Sequence, residues 1–157
     1  MKKINRFLTI RQRTDQYDCC YTFLPTGDIF TFTQGGILIN QFRGNAKDGS
    51  LNNIYLRIYH EQGHSSYPLL GIRSASTLSY GSNCLQYRGR AEDIEYTVTF
   101  RPVSECWFWD ITLSGNGQTV DIIYGQDISI APENNVYTNE FYVSQYLDHS
   151  VYRGENG

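Results

Sequence analysis

Charge is scarce in this 157-residue sequence: only 18% of the residues are Asp, Glu, Lys or Arg, and the formal net charge is −3. No block of like charges occurs, so there is no basic stripe to neutralise a phosphate backbone, and nucleic acid is not an expected partner. Long apolar runs are missing as well. No segment reaches membrane-spanning length, and the start, Met1 to Arg11, has an apolar stretch too short and too interrupted for a signal-peptide core. The expectation is a cytoplasmic protein without a membrane partner. Cysteine is limited to Cys19, Cys20, Cys84 and Cys106, without the C-x-x-C spacing of a metal site, and adjacent Cys19 and Cys20 are poorly placed to bridge each other. Reduced thiols are expected, with a Cys84–Cys106 bridge left open. Apolar residues at helical spacing are lacking, and so are G-x-S-x-G, P-loop and Rossmann glycine patterns.

Aromatics and glycine are abundant: 15% of the residues are Phe, Trp or Tyr, with 13 tyrosines and 14 glycines. Aromatic and β-branched side chains pack well across strands, and glycine supplies the positive φ of tight turns. The composition therefore predicts an all-β protein, an antiparallel β-sandwich of about ten short strands, formed by residues 1–157 as one domain. All four prolines, Pro25, Pro68, Pro102 and Pro132, are expected at element boundaries.

Period-2 alternation locates the strands. Ile4 to Arg11 reads as an edge strand. Tyr17, Cys19, Tyr21 and Phe23 share a face of the next, and Phe30 and Phe32 are expected together on a third, followed by Ile37 to Phe42. A loop over residues 43–50 leads to Ile54, Leu56 and Ile58, predicted inward, with Tyr55, Arg57 and Tyr59 outward. The stretch from Gly63 to Gly71 reads as a polar loop. Ser76 to Tyr80 pairs with Cys84 to Arg88, and Ile94, Tyr96, Val98 and Phe100 alternate until Pro102. The densest stretch, Cys106 to Leu113, puts Trp107, Trp109, Ile111 and Leu113 on one face. It is expected to turn at Ser114 to Gln118 and return as a hairpin through Thr119 to Tyr124, with a further strand from Phe141 to Tyr146.

Three constellations could carry chemistry. His60-Glu61-Gln62-Gly63-His64 is a literal H-E-x-x-H, but zinc hydrolysis needs it on a helix, and here it follows a strand and contains glycine. A solvated loop is the expectation, with no metal. Asp110, Asp121, Asp127, Glu140 and Asp148 lie near one another in sequence, and glycosidic cleavage uses two carboxylates. Asp110 and Asp121 instead alternate with apolar residues, as outward strand positions do. No catalytic residue is assigned. Trp107 and Trp109 are the candidate carbohydrate-binding residues, since aromatic faces hold sugar CH surfaces, although their shared face with Ile111 and Leu113 suits a core better. Tyr55, Tyr59 and Phe108 are candidates for a second apolar surface facing another domain or subunit.

Tyr124-Gly125-Gln126-Asp127, Asn139-Glu140, Tyr142-Val143-Ser144-Gln145-Tyr146 and Asp148-His149 resemble the amino-terminal β-sandwich of glycoside hydrolase family 94 phosphorylases, in particular large members acting on β-1,2-glucan oligosaccharides. Gly27-Asp28-Ile29-Phe30, Ile54-Tyr55-Leu56-Arg57 and Pro68-Leu69-Leu70-Gly71-Ile72 are compatible with that domain. The resemblance implies a galactose-mutarotase-like supersandwich joined to a helical catalytic barrel, which carries the general-acid aspartate while phosphate attacks the anomeric carbon with inversion. No metal or cofactor is implied. The chain would then be a non-catalytic amino-terminal fragment, with the downstream catalytic domain as its partner and a homodimer and a carbohydrate ligand as further expectations. A free-standing carbohydrate-binding module is the alternative.

Overall fold

The computed structural model describes residues 6–138 and Ser150. Among them the alternating segments form twelve strands and one short helix: β1 (Leu8–Arg13), β2 (Asp18–Phe23), β3 (Ile29–Gln34), β4 (Ile37–Leu38), β5 (Asn53–His60), β6 (Gly63–Pro68), β7 (Thr77–Tyr80), β8 (Leu85–Ala91), β9 (Ile94–Val103), β10 (Cys106–Ser114), β11 (Val120–Gly125), β12 (Ala131–Pro132) and α1 (Glu133–Thr138). Three antiparallel sheets result, in the orders β1-β2-β3-β4-β12, β10-β9-β8-β7 and β11-β5-β6. They pack as an all-β sandwich around a main core, to which Tyr21, Phe23 and Phe32, then Tyr87, Val98 and Phe100, then Ile54, Leu56 and Ile58 contribute from the three sheets in turn, beside a small second cluster of Leu38, Ala131 and Val136. The expected strand from Phe141 to Tyr146 lies outside the described residues.

The inward rows follow the alternation. Cys19, Tyr21 and Phe23 are at most 2% exposed, and so are Ile54, Leu56, Ile58, Val98 and Phe100. Aromatic rings hold the centre: Phe100 lies 5.0 Å from Phe23, 5.2 Å from Tyr21 and 5.4 Å from Phe32, centroid to centroid. Such tilted and edge-on contacts contribute beyond the area they bury.

Several expectations are corrected. Phe30 does not share a face with Phe32, because the ladder slips at Thr22/Phe23, where Phe23 pairs with Ile29. This bulge turns Phe30 towards Phe7 and the Arg43 guanidinium. Asn40 holds it: its Oδ1 accepts from the Phe32 N–H at 2.7 Å, and its amide donates to the Phe30 and Phe42 carbonyls. The chain from Ile39 to Phe42 therefore leaves the expected fourth strand after Leu38. The expected loop from Gly63 is strand β6 up to Pro68, since its backbone pairs with β5 from Tyr55 to His60. Pro102 does not end β9. It lies buried within it, opposite Trp107 and beyond the last pairing with β8 at Phe100.

The largest correction concerns the expected hairpin of residues 106–124. A two-residue turn, Ser104-Glu105, folds β10 onto β9, giving a ladder from Cys106↔Val103 to Ser114↔Glu95. That leaves β11 without β10, and it crosses to pair with β5, from Val120↔Ile58 to Gly125↔Asn53. Gly115 permits the crossing, because a Cβ there would sit 2.9 Å from Ile94 Cγ1. The longer ladder wins: nine pairs with β9 exceed the six residues that β11 could offer.

Buried polar groups fasten the loops. Asp28, 3% exposed, accepts from the Thr26 hydroxyl at 2.6 Å, the Ser50 N–H at 3.1 Å and the Ile72 N–H at 2.8 Å. Its carboxylate thus ties the β2–β3 turn to the loops before β5 and after β6. Gly71, at φ 74°, lies so close that an added Cβ would fall 1.9 Å from Asp28 Oδ1. Asn53 fixes the same loops by accepting from the Ile54 and Leu70 N–H groups and donating to the Leu70 carbonyl. Tyr87 donates to the Gly27 carbonyl at 2.6 Å. Desolvation, then the Asp28 charge, raises its pKa well above the ordinary phenol value. Tyr21 is raised too, by desolvation and then by Cys19.

Two outcomes are expected. Asp28→Ala leaves three donors without their acceptor and should lower the unfolding free energy by about 3 kcal/mol, seen as a lower urea midpoint at unchanged slope. Because the Tyr87 and Tyr21 pKa values are higher folded than unfolded, the stability they carry is complete below the unfolded value of about 10 and is lost as pH rises above it. Urea titrations between pH 8 and about pH 11 should show this decline, shallower in Tyr87→Phe.

Candidate functional site

Where β10 and β11 part, the inward faces of two sheet edges lie open to solvent. On β10 the register places Trp107 opposite Pro102, Trp109 opposite Phe100, Ile111 opposite Val98 and Leu113 opposite Tyr96. These β9 partners are buried, whereas the four β10 residues are only half-buried. On β11, Val120, Ile122 and Tyr124 stand opposite Ile58, Leu56 and Ile54. Those partners are at most 1% exposed, yet Ile122 remains 39% and Tyr124 43% exposed. The result is an apolar, aromatic strip with one wall on each sheet.

Trp107 and Trp109 are its centre. The Trp107 ring lies 5.5 Å from Phe32 and 5.9 Å from Tyr21, and Trp109 lies 5.0 Å from Phe100 and 6.2 Å from Tyr87. Both indoles thus have one side on the core and the other towards the strip. The Tyr124 hydroxyl donates to Gln126 Oε1. Desolvation raises the Tyr124 pKa, and the indoles of Trp109 and Trp107 oppose that rise. Trp109 Nε1 is nevertheless buried without a hydrogen-bond partner of normal geometry, as are Gln118 Oε1 and Asp127 Oδ1 near the two ends of β11. An unpaired buried donor or acceptor is costly in a closed core.

The acidic residues do not converge. Asp110 is exposed and bonded to the Arg101 guanidinium at 3.0 Å, and Asp121 accepts from the Tyr59 hydroxyl at 2.6 Å. Both stand on outward faces, as the alternation predicts. Asp127 is a bracket instead: its Oδ2 accepts from the Phe42 N–H at 2.7 Å, and its own N–H donates to Asn52 at 2.6 Å. Glu140 and Asp148 lie outside the described residues.

The H-E-x-x-H segment is the turn of the β5–β6 hairpin. His60 pairs with Gly63 and Tyr59 with His64, so the two imidazoles project to opposite faces of the ribbon. That geometry cannot close on one metal ion. Among the described residues no three His, Cys, Asp or Glu side chains are grouped to hold one. His60 Nε2 lies 3.3 Å from Glu92 Oε1 and 3.2 Å from Ser65 Oγ, and the Tyr67 hydroxyl donates to the same carboxylate at 2.7 Å. Serine, imidazole and carboxylate are together, but both contacts use one ring nitrogen. A nucleophilic triad needs the acid on the other nitrogen to hold the tautomer. The cluster ties the β5–β6 hairpin to the β8–β9 turn, where Glu92 takes φ 52°.

A depression of about 500 Å³ lies on the outer face of the four-stranded sheet, lined by Thr77, Arg88, Glu95, Thr97, Thr112 and Ser114. It holds no paired acid and base. Phe108, 47% exposed, is on that face under the Arg101 guanidinium, and Tyr59, 39% exposed, is outward on β5. Tyr55, the third residue expected on that surface, is only half-buried on β5, and Phe108 and Tyr59 stand on different sheets. All four cysteines are free thiols, which removes the Cys84–Cys106 bridge. Among the described residues no helix is long and apolar enough to cross a membrane.

The sequence singles out Trp107 and Trp109 as candidates, but not Tyr124 and Ile122 beside them, because the expected hairpin placed β11 beside β10. The signal that could have found them is Val120, Ile122 and Tyr124 alternating with a face that fits β5. The buried amides Asn40, Asn52 and Asn53 gave no local sign, since each serves backbone groups distant in sequence.

The family described as SOGP N-terminal domain matches residues 22–157. A 1,2-beta-oligoglucan phosphorylase of Listeria innocua serovar 6a is 31% identical over 150 residues, which cover 96% of this chain and 14% of the relative. The chain therefore spans about a seventh of that relative's length.

Trp109→Phe keeps the ring contacts and removes the orphaned N–H, so it should change stability by less than about 1 kcal/mol. Trp109→Ala should cost about 3 kcal/mol. Urea unfolding of both variants checks the contrast.

Proposed function

The chain belongs to the SOGP N-terminal domain family, and on that premise we propose that it is the amino-terminal β-sandwich domain of a larger glycoside phosphorylase. The observation that carries this reading is the match over nearly the whole chain to a short part of a much longer phosphorylase. The parent enzyme would phosphorolyse β-linked gluco-oligosaccharides to a sugar 1-phosphate, as a relative of the glycoside hydrolase family 94 enzymes with a supersandwich at its amino terminus. The catalytic acid belongs to a downstream domain. Support comes from the acids themselves: Asp110 and Asp121 are engaged outward and Asp127 brackets backbone, leaving no poised pair among the described residues.

The domain's role is then architectural. It packs against the catalytic domain, takes part in dimer contacts and shapes the approach to the sugar site. Residence in the cytoplasm suits four unpaired thiols. A second reading, a carbohydrate-binding module using Trp107 and Trp109, is favoured by the open aromatic strip, since sugars meet aromatic faces.

Sequencing the coding DNA beyond codon 157 tests the first reading. An open frame that continues into paired amphipathic helices is expected, and its full product should release sugar 1-phosphate from β-1,2-linked glucooligosaccharides only when inorganic phosphate is present. A stop codon at that point, with submillimolar β-glucan binding by the 157-residue chain that Trp107→Ala abolishes without unfolding, would replace it with the module.

A further inference from the structure

Between β10 and β11, among the described residues, the core of the sandwich is left open, and both walls of this strip are sheet edges. Strand β10 ends one sheet and β11 ends another, so each has one side without a ladder partner among the described residues. Soluble proteins blunt such edges with lysine, proline, bulges or short length. β10 is nine residues long, carries no lysine or proline, and pairs with β9 without a register break. Among the described residues nothing pairs with its free side.

The side chains point the same way. Ile122 and Tyr124 project with the core row of β5 yet are about two-fifths exposed, and Trp107 and Trp109 are covered on one side only. Open edges and exposed core faces in one place call for one kind of occupant. Extended polypeptide supplies backbone N–H and C=O groups for the edges and alternate apolar side chains for the faces.

We propose that this strip is a docking surface for polypeptide from the rest of the parent enzyme, which enters as an extended segment, pairs with the free side of β10 or β11 and covers Trp107, Trp109, Ile122 and Tyr124. This rests on the reading of the chain as one domain of a larger phosphorylase. The source is argued from length: the matched relative has most of its chain outside the matched stretch. A second copy fits less well, because two-fold pairing of β10 with itself leaves β11 uncovered. A sugar can lie on the aromatic faces but leaves both edges unpaired.

Both tryptophans of the sequence lie in the strip, so indole emission of the 157-residue chain reads this surface alone. In dilute monomer, acrylamide should quench it several-fold more strongly than a buried indole. Low quenching in the monomer would mean that the chain covers its own strip and would overturn the proposal. So would shielding that appears with dimer formation in sedimentation, which would make a second copy the occupant, or shielding of the monomer by β-1,2-glucan at submillimolar concentration. In the complementary arm, this chain replaces the matched stretch of the Listeria innocua relative, and amide exchange is compared with that of the isolated chain. Peptides covering residues 106–114 and 120–125 should slow at least about tenfold, while β2 and β3 stay unchanged. Equal exchange in a folded chimera would sink the docking idea, whereas protection without phosphorolytic activity would leave docking standing and count against the functional reading.

Discussion

The turn at Ser104-Glu105 constrains everything that follows it. Two residues suffice to reverse the chain only if the first takes a left-handed conformation, and Ser104 sits at φ 55°. Once β10 is committed to β9, the apolar rows of the two strands coincide from Trp107 to Leu113. The next segment is then excluded from the near side and must find another sheet. The crossing to β5, the separation of the two edges and the strip between them all descend from that tight reversal.

A different kind of constraint holds the opposite parts together. Asp28, Asn40, Asn53 and Ser129 are almost fully buried, and each serves backbone groups from segments remote in sequence. Ser129, for example, donates from its hydroxyl to the Leu38 carbonyl at 2.7 Å and from its N–H to the Ile39 carbonyl. A buried side-chain amide or carboxylate is tolerable only when fully bonded, so these loops have one arrangement. The next residue, Ile130, takes φ 47°, a conformation that a β-branched residue adopts only under outside constraint. Position along the rims is thus set by polar groups, while the sheets themselves are set by apolar alternation.

That division explains what could be read from the sequence. Period-2 rows such as Ile54, Leu56 and Ile58, or Tyr96, Val98 and Phe100, announce an inward face by themselves, and the all-β sandwich follows from them. Pairing partners are another matter. Ser114 to Gln118 is a good turn sequence, and only the competing ladder with β9 makes it a crossing. The bulge that separates Phe30 from Phe32 depends on Asn40, and no local pattern foretells that contact. The candidate residues behave similarly: Trp107 and Trp109 were visible as a pair with a dual character, but Ile122 and Tyr124 join them only through the sheet crossing. The H-E-x-x-H lettering lost its chemical meaning once its backbone proved to be a hairpin turn.

The crossing also orders events in time. The β8–β9 and β9–β10 turns close over two residues each, so that meander can assemble from neighbours. Strand β11 must instead find β5 across a long stretch of chain, with Tyr59 and Asp121 standing 62 positions apart. Such non-local closure is slow compared with hairpin formation. During synthesis β10 would therefore be in place, with its tryptophans and its unpaired side facing outward, before β11 arrives. In that interval the nascent chain is at its most adhesive, and the speed of the β5–β11 closure decides whether it matures or associates with its neighbours.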